Sequence, residues 1–157
     1  MLSVSALLQS KAATHSSFLS KGFSDGLVKS WETTKTGIKK AVHFLEQERI
    51  LDAKRLPTDV IVAPLAALWG IAPQGLDAEG EARILLRKYL WRACFTERYE
   101  RASATRVLAD FRELKAIIEG RADAKALIFN EQDWPLPSIE QFINAGWPTR
   151  KDRPCKM

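Results

Sequence analysis

Apolar side chains recur every three or four residues along most of the chain, and this spacing predicts amphipathic α-helices. Ser24 is the predicted N-cap of the first long helix, which ends near Gln47. Its apolar stripe consists of Leu27, Trp31, Ile38, Val42 and Leu45. A short buried helix is predicted over residues 59–69, kinked at Pro64 and closed by Gly70. A strand over residues 60–63 is the alternative, but the sequence offers no second strand to pair with it.

The next predicted helix covers residues 78–95, follows an Asp77 cap and is apolar on two sides. One stripe contains Leu85, Leu86, Tyr89, Leu90 and Ala93, and the other contains Ile84, Trp91 and Phe95. Because a helix that is apolar on two sides is usually surrounded by neighbours, we expect this one at the centre of a bundle.

Ser103 is the predicted cap of a helix that ends at Glu119 and is closed by Gly120. Its inner stripe is Val107, Phe111, Leu114 and Ile118. Residues 130–137 read as a loop containing Trp134. The sequence from Ser138 to Gln141 forms a capping box, which predicts a short helix to Ala145. Every secondary-structure element that the pattern predicts is a helix, so the predicted fold is an all-α, irregular bundle of about five helices.

Composition divides the chain into three parts. Residues 1–23 are rich in Ser, Thr and Ala and are predicted to be a flexible, loosely attached segment with a short helix near residues 4–9. Residues 24–146 form the predicted helical domain. Residues 147–157, "WPTRKDRPCKM", form a predicted mobile, basic tail.

Charge and cysteine content narrow the class of protein. The 157 residues include 24 Lys and Arg against 19 Asp and Glu, a net charge of +5 that is compatible with DNA as a partner. Only two cysteines are present, which favours a reducing, cytoplasmic location. The apolar start lacks the preceding basic residues of a signal peptide, and no window is long enough to span a membrane.

The sequence offers little that resembles catalytic machinery. His15 and His43 lie in separate segments, whereas a zinc site needs about four ligands at short spacings. Glycine-rich phosphate-binding motifs are absent, and the carboxylate pairs fall on predicted helix surfaces. We therefore expect no catalytic residues, no metal, no cofactor and no enzymatic activity.

Residues 89–111, "YLWRACFTERYERASATRVLADF", concentrate aromatic rings and arginines and allow two interpretations. The first is a nucleic-acid site, with phosphate contacts from a basic surface and base stacking on the rings. Its predicted residues are Arg98, Arg101, Arg106, Arg150, Lys151 and Arg153. The second is a packed corner between two helices, in which Trp91 fills the bundle and Tyr99 packs under the turn. There Arg98 or Arg106 pairs with Asp110 or Glu97, and we favour this structural interpretation.

The stretch "LLRKYLWRACFTERYERASATRVLADFREL" resembles the helical region of the GmrSD-type, modification-dependent restriction endonuclease family. The family pattern is Phe/Tyr-x-Trp-Arg-Ala, then Ser/Thr-Glu-Arg-Tyr, then a later Asp. The matching residues are Tyr89, Trp91, Arg92, Ala93, Thr96, Glu97, Arg98, Tyr99 and Asp110. Upstream, "SWETTKTGIKKAVHFL" and "RLPTDVIVAPLAAL" are also similar to the family, and the resemblance extends over about residues 24–153.

The resemblance implies ancestry in DNA restriction, but the working parts of that family are not matched. Its ParB-like nuclease and NTPase head carries Asp-Gly-Gln-Gln-Arg, whereas here Asp25-Gly26 is followed by Leu27, Val28 and Lys29. Neither histidine has the context of its His-Asn-His nuclease. We expect a scaffold or interaction module without the head and the nuclease tail, from a truncated gene, an alternative start or a domain remnant. Apolar surface left by the missing parts predicts a partner chain or self-association; a small basic DNA-binding module is the alternative.

Overall fold

The computed structural model describes residues 1–52, 54, 56–121 and 123–144, and these contain eight α-helices and no β-strand. The predicted all-α fold is confirmed. The helices are α1 (Leu2–Leu8), α2 (His15–Phe18), α3 (Phe23–Lys29), α4 (Trp31–Gln47), α5 (Val62–Ile71), α6 (Leu76–Phe95), α7 (Ser103–Ile118) and α8 (Ile139–Asn144). Single 3₁₀ turns lie at Asp59–Ile61, Glu97–Tyr99 and Leu127–Phe129. No helix among the described residues combines the length and apolarity needed to cross a bilayer.

Helix α5 is the centre of the fold. Its sequence, VAPLAALWGI, contains no charged residue, and all of residues 64–69 are buried. It packs against α1, α4 and α7. The prediction that α6 is central is therefore wrong, because the second apolar side of α6 faces outward and leaves Ile84 70% exposed.

Two glycines allow α4 and α5 to approach closely. A Cβ atom at Gly37 would lie 2.1 Å from the carbonyl oxygen of Ala66, and one at Gly70 would lie 2.8 Å from that of Thr33. The buried face of α4 carries Thr34, Gly37, Ala41 and Phe44. It differs from the predicted stripe, of which Trp31 and Val42 remain about half exposed. The small residues turn inward because they let the helix backbones pack closely.

The predicted helix from Ser24 to Gln47 is divided in two. Helix α3 begins after Gly22, whose φ of +79° suits glycine, and the chain bends at Ser30 before α4. Pro64 lies in the first turn of α5, where N–H groups have no intrahelical acceptor, so it produces no kink. Helix α5 also continues one residue past Gly70.

The N-terminal segment is part of the core, and the prediction of a loosely attached start is wrong. Val4 and Leu7 of α1 are at most 4% exposed and belong to the same hydrophobic cluster as α5. The Oγ atoms of Ser5 and Ser30 lie 2.8 Å apart and link α1 to the bend before α4. The apolar face of α1 is short, but α5 offers it a fully apolar surface.

The ends of the last helices follow local sequence rules. Gly120, with φ of +73°, closes α7, and Arg121 N–H donates back to the Ala116 carbonyl at 3.1 Å. The start of α7 departs from the prediction: Ser103 is its first residue, and the N-cap is Ala102, which adopts the left-handed conformation (φ of +51°) and makes no side-chain cap hydrogen bond. The predicted cap Asp77 likewise lies inside α6, which begins at Leu76 after Gly75. The capping box before α8 is present, since Ser138 N–H donates to Gln141 Oε1 (2.7 Å) and Gln141 N–H to Ser138 Oγ (3.2 Å). The predicted helix end at Ala145 and the basic tail lie outside the described residues.

Candidate functional site

The arginine- and aromatic-rich stretch folds into a corner between α6 and α7. Helix α6 ends at Phe95, a 3₁₀ turn carries Arg98 and Tyr99, and the left-handed Ala102 reverses the chain into α7. Asp110, in the second turn of α7, then faces the 3₁₀ turn. We call this region the arginine corner; it contains Tyr89, Arg92, Arg98, Tyr99, Arg106, Asp110 and Trp134.

A buried ion pair forms the base of the arginine corner. Asp110 is 0% exposed and Arg98 is 4% exposed. Arg98 Nε donates to Asp110 Oδ2 at 2.7 Å, and Arg98 Nη2 donates to Asp110 Oδ1. The Tyr99 hydroxyl donates to Oδ2 at 2.5 Å and lies 2.8 Å from the Tyr89 hydroxyl. Both carboxylate oxygens are thus occupied by groups of the same chain.

Burial determines the protonation states in the arginine corner. Desolvation raises the pKa of Tyr89 far above its usual 10.0, although the hydrogen bond with Tyr99 lowers it. Desolvation also raises the pKa of Tyr99, and the adjacent Tyr89 and Asp110 add to the effect. For Arg98, burial lowers the pKa, but the hydrogen bonds and charge of Asp110 outweigh burial, so the pKa of the guanidinium rises above its ordinary value. None of these three groups can exchange a proton near neutral pH, which general acid–base catalysis requires.

Trp134 covers the outer side of the ion pair. Its ring centroid lies 5.1 Å from the guanidinium carbon of Arg98 and 4.9 Å from that of Arg106. Cation–π contacts of this kind contribute about 0.5–2 kcal/mol. Arg106 Nη1 also donates to the Arg98 carbonyl oxygen at 2.7 Å. The 130–137 loop is therefore held against the turn between α6 and α7.

Arg92, on α6, binds the segment of residues 128–134 that contains Trp134. Its buried guanidinium donates from Nε to the Ile128 carbonyl at 2.9 Å and from Nη2 to the Trp134 carbonyl at 2.6 Å. An ion pair with Glu131 adds a contact at 3.4 Å. Sequence reasoning included Arg92 through the family resemblance alone and missed Trp134 as the cover. The aromatic residue in a predicted loop was the only available signal.

The described residues among those predicted to bind nucleic acid, Arg98, Arg101 and Arg106, differ in exposure. Arg98 is buried against Asp110 and cannot reach a backbone phosphate, so its assignment to that surface is wrong. Arg106 is half-buried and bonded to Arg98, whereas Arg101 is exposed. The other predicted residues, Arg150, Lys151 and Arg153, lie outside the described residues.

One residue of the favoured structural interpretation, Trp91, lies elsewhere than predicted. Trp91 is half-buried at the edge of the bundle, where it stacks on Phe95 with centroids 5.8 Å apart. Its Nε1 donates to Glu48 Oε2 at 3.3 Å. Glu97 is exposed, and among the pairings left open the structure contains Arg98 with Asp110. The α6 stripe containing Trp91 faces outward, which explains its position.

The arginine corner leaves little room for a substrate. An adjacent hollow of about 40 Å³, lined in part by Pro57, Cys94 and Glu100, has room for only a few water molecules. Within the described part of the chain, no three His, Cys, Asp or Glu side chains converge as metal ligands would. Comparison with protein-family models, curated proteins and solved structures finds no match to this chain.

Proposed function

We propose that this chain is a non-catalytic helical domain that acts as a scaffold or interaction module, as the resemblance to the middle region of a restriction protein implies. The closed arginine corner is the observation that carries the proposal. Arg98, Tyr99 and Asp110 satisfy one another, and Trp134 covers them. Groups that already bond with one another in a dry interior hold a fold together and have no free capacity for a substrate.

The residues that carry the family resemblance also support a non-catalytic role, because most of them make contacts inside the fold. Five residues that carry it, Tyr89, Arg92, Arg98, Tyr99 and Asp110, are buried. Each makes a hydrogen bond within the arginine corner. The pattern is therefore explained by a conformational requirement: it joins α6, α7 and the loop after them. A cytoplasmic location, suggested by low cysteine content, belongs to this proposal.

Exposed apolar side chains support the interaction role. Large hydrophobic residues that remain more than 70% exposed are Leu19, Val28, Leu76, Ile139 and Ile143. Ile84 lies at 70%. Isolated exposed apolar residues are ordinary, but grouped ones mark surfaces that bind other chains. Leu76 and Ile84 share one helix, α6, whose other side is in the core.

The DNA-binding alternative has less support. The net charge of +5 favours phosphate partners in general, but Arg98 is buried and Arg106 contacts Trp134. Arg101 alone among its described residues is exposed. For that reason the interaction module is the function that we put forward.

Activity measurements test the proposal. The protein is incubated with magnesium, nucleotide and modified DNA, and we expect no hydrolysis of either substrate. Glu97→Gln is the matched variant, since Glu97 is an exposed carboxylate beside Arg98 and its replacement leaves the buried ion pair intact. Turnover by the wild type that disappears in Glu97→Gln, with unchanged circular dichroism, would overturn the non-catalytic role.

A further inference from the structure

The outward side of α6 carries an unpartnered apolar stripe. Leu76 is 96% exposed and Ile84 is 70% exposed, with Gly80 midway between them. Residues four apart lie on the same side of a helix, so these three form one continuous face. We call this set (Leu76, Gly80 and Ile84) the outer face of α6. It shares Ile84 with the second apolar stripe predicted from the sequence, whose other members, Trp91 and Phe95, are half-buried.

Gly80 has no role in packing within the described chain. Glycine in a helix interior costs about 1 kcal/mol relative to alanine. Gly37 and Gly70 offset this by allowing α4 and α5 to approach, but a Cβ at Gly80 would meet nothing within 4 Å. Gly80 instead lines an open depression, together with Trp69, Gly75, Leu76, Glu79 and Arg83. The indole Nε1 of Trp69 is buried and has no hydrogen-bond partner in the described part of the chain.

Charge along α6 indicates what can cover this face. The first half of the helix carries Asp77 and Glu81, and the second half carries Arg83 and Lys88. Two further charges of α6 are already paired within the chain, Glu79 with Lys40 and Arg87 with Glu48. An antiparallel neighbour with the same sequence would set the acidic half against the basic half twice. A parallel copy would set like charges together. The face is therefore complementary to itself in one orientation only.

We propose that the outer face of α6 binds the same face of a second copy of this chain in an antiparallel, two-fold arrangement. If the two copies of α6 cross at the level of residue 82, residues 80 and 84 lie at equal distances on either side of the crossing point, so residue 84 of one copy lies opposite residue 80 of the other. Ile84 of each copy then enters the depression over Gly80 of the other, as an isologous interface requires. This inference rests on the proposed interaction role and names the partner. A single helix pair is smaller than a standard interface, so the dimer is weak and depends on concentration.

Sedimentation velocity over a wide concentration range tests the proposal with surface variants. Ile84→Lys is expected to be monomeric at every concentration at which the wild type dimerises, because it places a charge in the depression. Val28→Lys is the matched control, since Val28 is 75% exposed on α3, and it should dimerise as the wild type does. Gly80→Gln should weaken association and raise the thermal midpoint of the monomer, because glutamine fills the depression and favours the helix.

A mixing experiment separates a lost interface from a damaged fold. One variant carries Asp77→Lys and Glu81→Lys, and the other carries Arg83→Glu and Lys88→Glu. Each should be monomeric alone, since its two halves then bear like charges, and an equimolar mixture should form dimers. A monomeric wild type, a dimer unaffected by Ile84→Lys, or a mixture that stays monomeric would overturn the proposal. None of these results produces the enzymatic turnover that would overturn the proposed function.

Discussion

Replacing Arg98 with methionine isolates the ion pair of the arginine corner. The Arg98→Met change keeps most of the apolar stem and removes the guanidinium. Asp110, at 0% exposure, would then retain the Tyr99 hydroxyl as its one hydrogen-bond partner among the described residues. Leaving a buried charge without its counter-ion costs about 3–5 kcal/mol. Loss of the Trp134 contact adds about 0.5–2 kcal/mol.

The measurement is urea unfolding at neutral pH, followed by far-ultraviolet circular dichroism. A domain of ordinary stability unfolds with about 5–15 kcal/mol, so Arg98→Met should remove a large fraction of it. The unfolding midpoint in urea should fall while the denaturant slope stays constant. In a thermal scan, a loss of about 3–5 kcal/mol corresponds to a midpoint lower by roughly 6–20 °C for a chain of this length.

The double variant Arg98→Met/Asp110→Leu supplies the decisive control. It removes both charges, and paired hydrophobic replacements of buried ion pairs are often neutral or stabilising. We expect it to be more stable than Arg98→Met alone, which gives a large coupling energy in a double-mutant cycle. A single Arg98→Met change that costs less than about 1 kcal/mol would refute the reasoning, since that loss is typical of an exposed pair.

Three further outcomes are expected. Alkaline unfolding follows from the raised pKa values of Tyr89 and Tyr99: both stay protonated when folded but ionise near pH 10.0 when unfolded. The contribution of these tyrosines to the unfolding free energy is therefore fully present below pH 10.0. Above pH 10.0 the unfolding free energy should fall by about 1.4 kcal/mol per pH unit for each tyrosine. Tyr89→Phe should halve that slope in urea titrations, and an unchanged slope contradicts the assignment. Gly37→Ala should lower the thermal midpoint despite alanine's better helix propensity, because its Cβ would lie 2.1 Å from a carbonyl oxygen of α5. Gly80→Ala, in open space, should raise the midpoint; equal shifts in both variants would disprove the close approach. Anisotropy titrations with duplex DNA at two salt concentrations should detect no binding, and binding that weakens steeply with salt and with Arg101→Ala would favour the DNA module.

Local sequence rules predicted much of the helical layout. Turn residues and interrupted spacing predicted the breaks before α6 and α7, although the predicted caps, Asp77 and Ser103, lie inside those helices. Gly120 closes α7, and the capping box at Ser138 forms as written in the sequence. These features were readable because each depends on residues within one or two turns of the chain.

The arginine corner was only half predictable. The residue types indicated an arginine–carboxylate pair with aromatic neighbours, and four pairings were equally open. The pair that forms, Arg98 with Asp110, spans the left-handed Ala102 at the turn into α7. Nothing in the local spacing marks alanine for that conformation. Trp134 reaches the same site from 36 residues beyond Arg98, a distance that no periodicity spans.

The sequence by itself determined that the chain is helical and approximately where α1, α6 and α7 start and stop, because those properties depend on neighbours three or four residues apart. The tertiary structure decided which apolar side of each helix is buried. It placed α1 in the core, made α5 central and turned the Ile84 side of α6 outward. Burial depends on the shape of the surface that another segment presents. Gly37 would destabilise an isolated helix, but this fold requires glycine there because α5 packs so closely that a Cβ atom would clash with it.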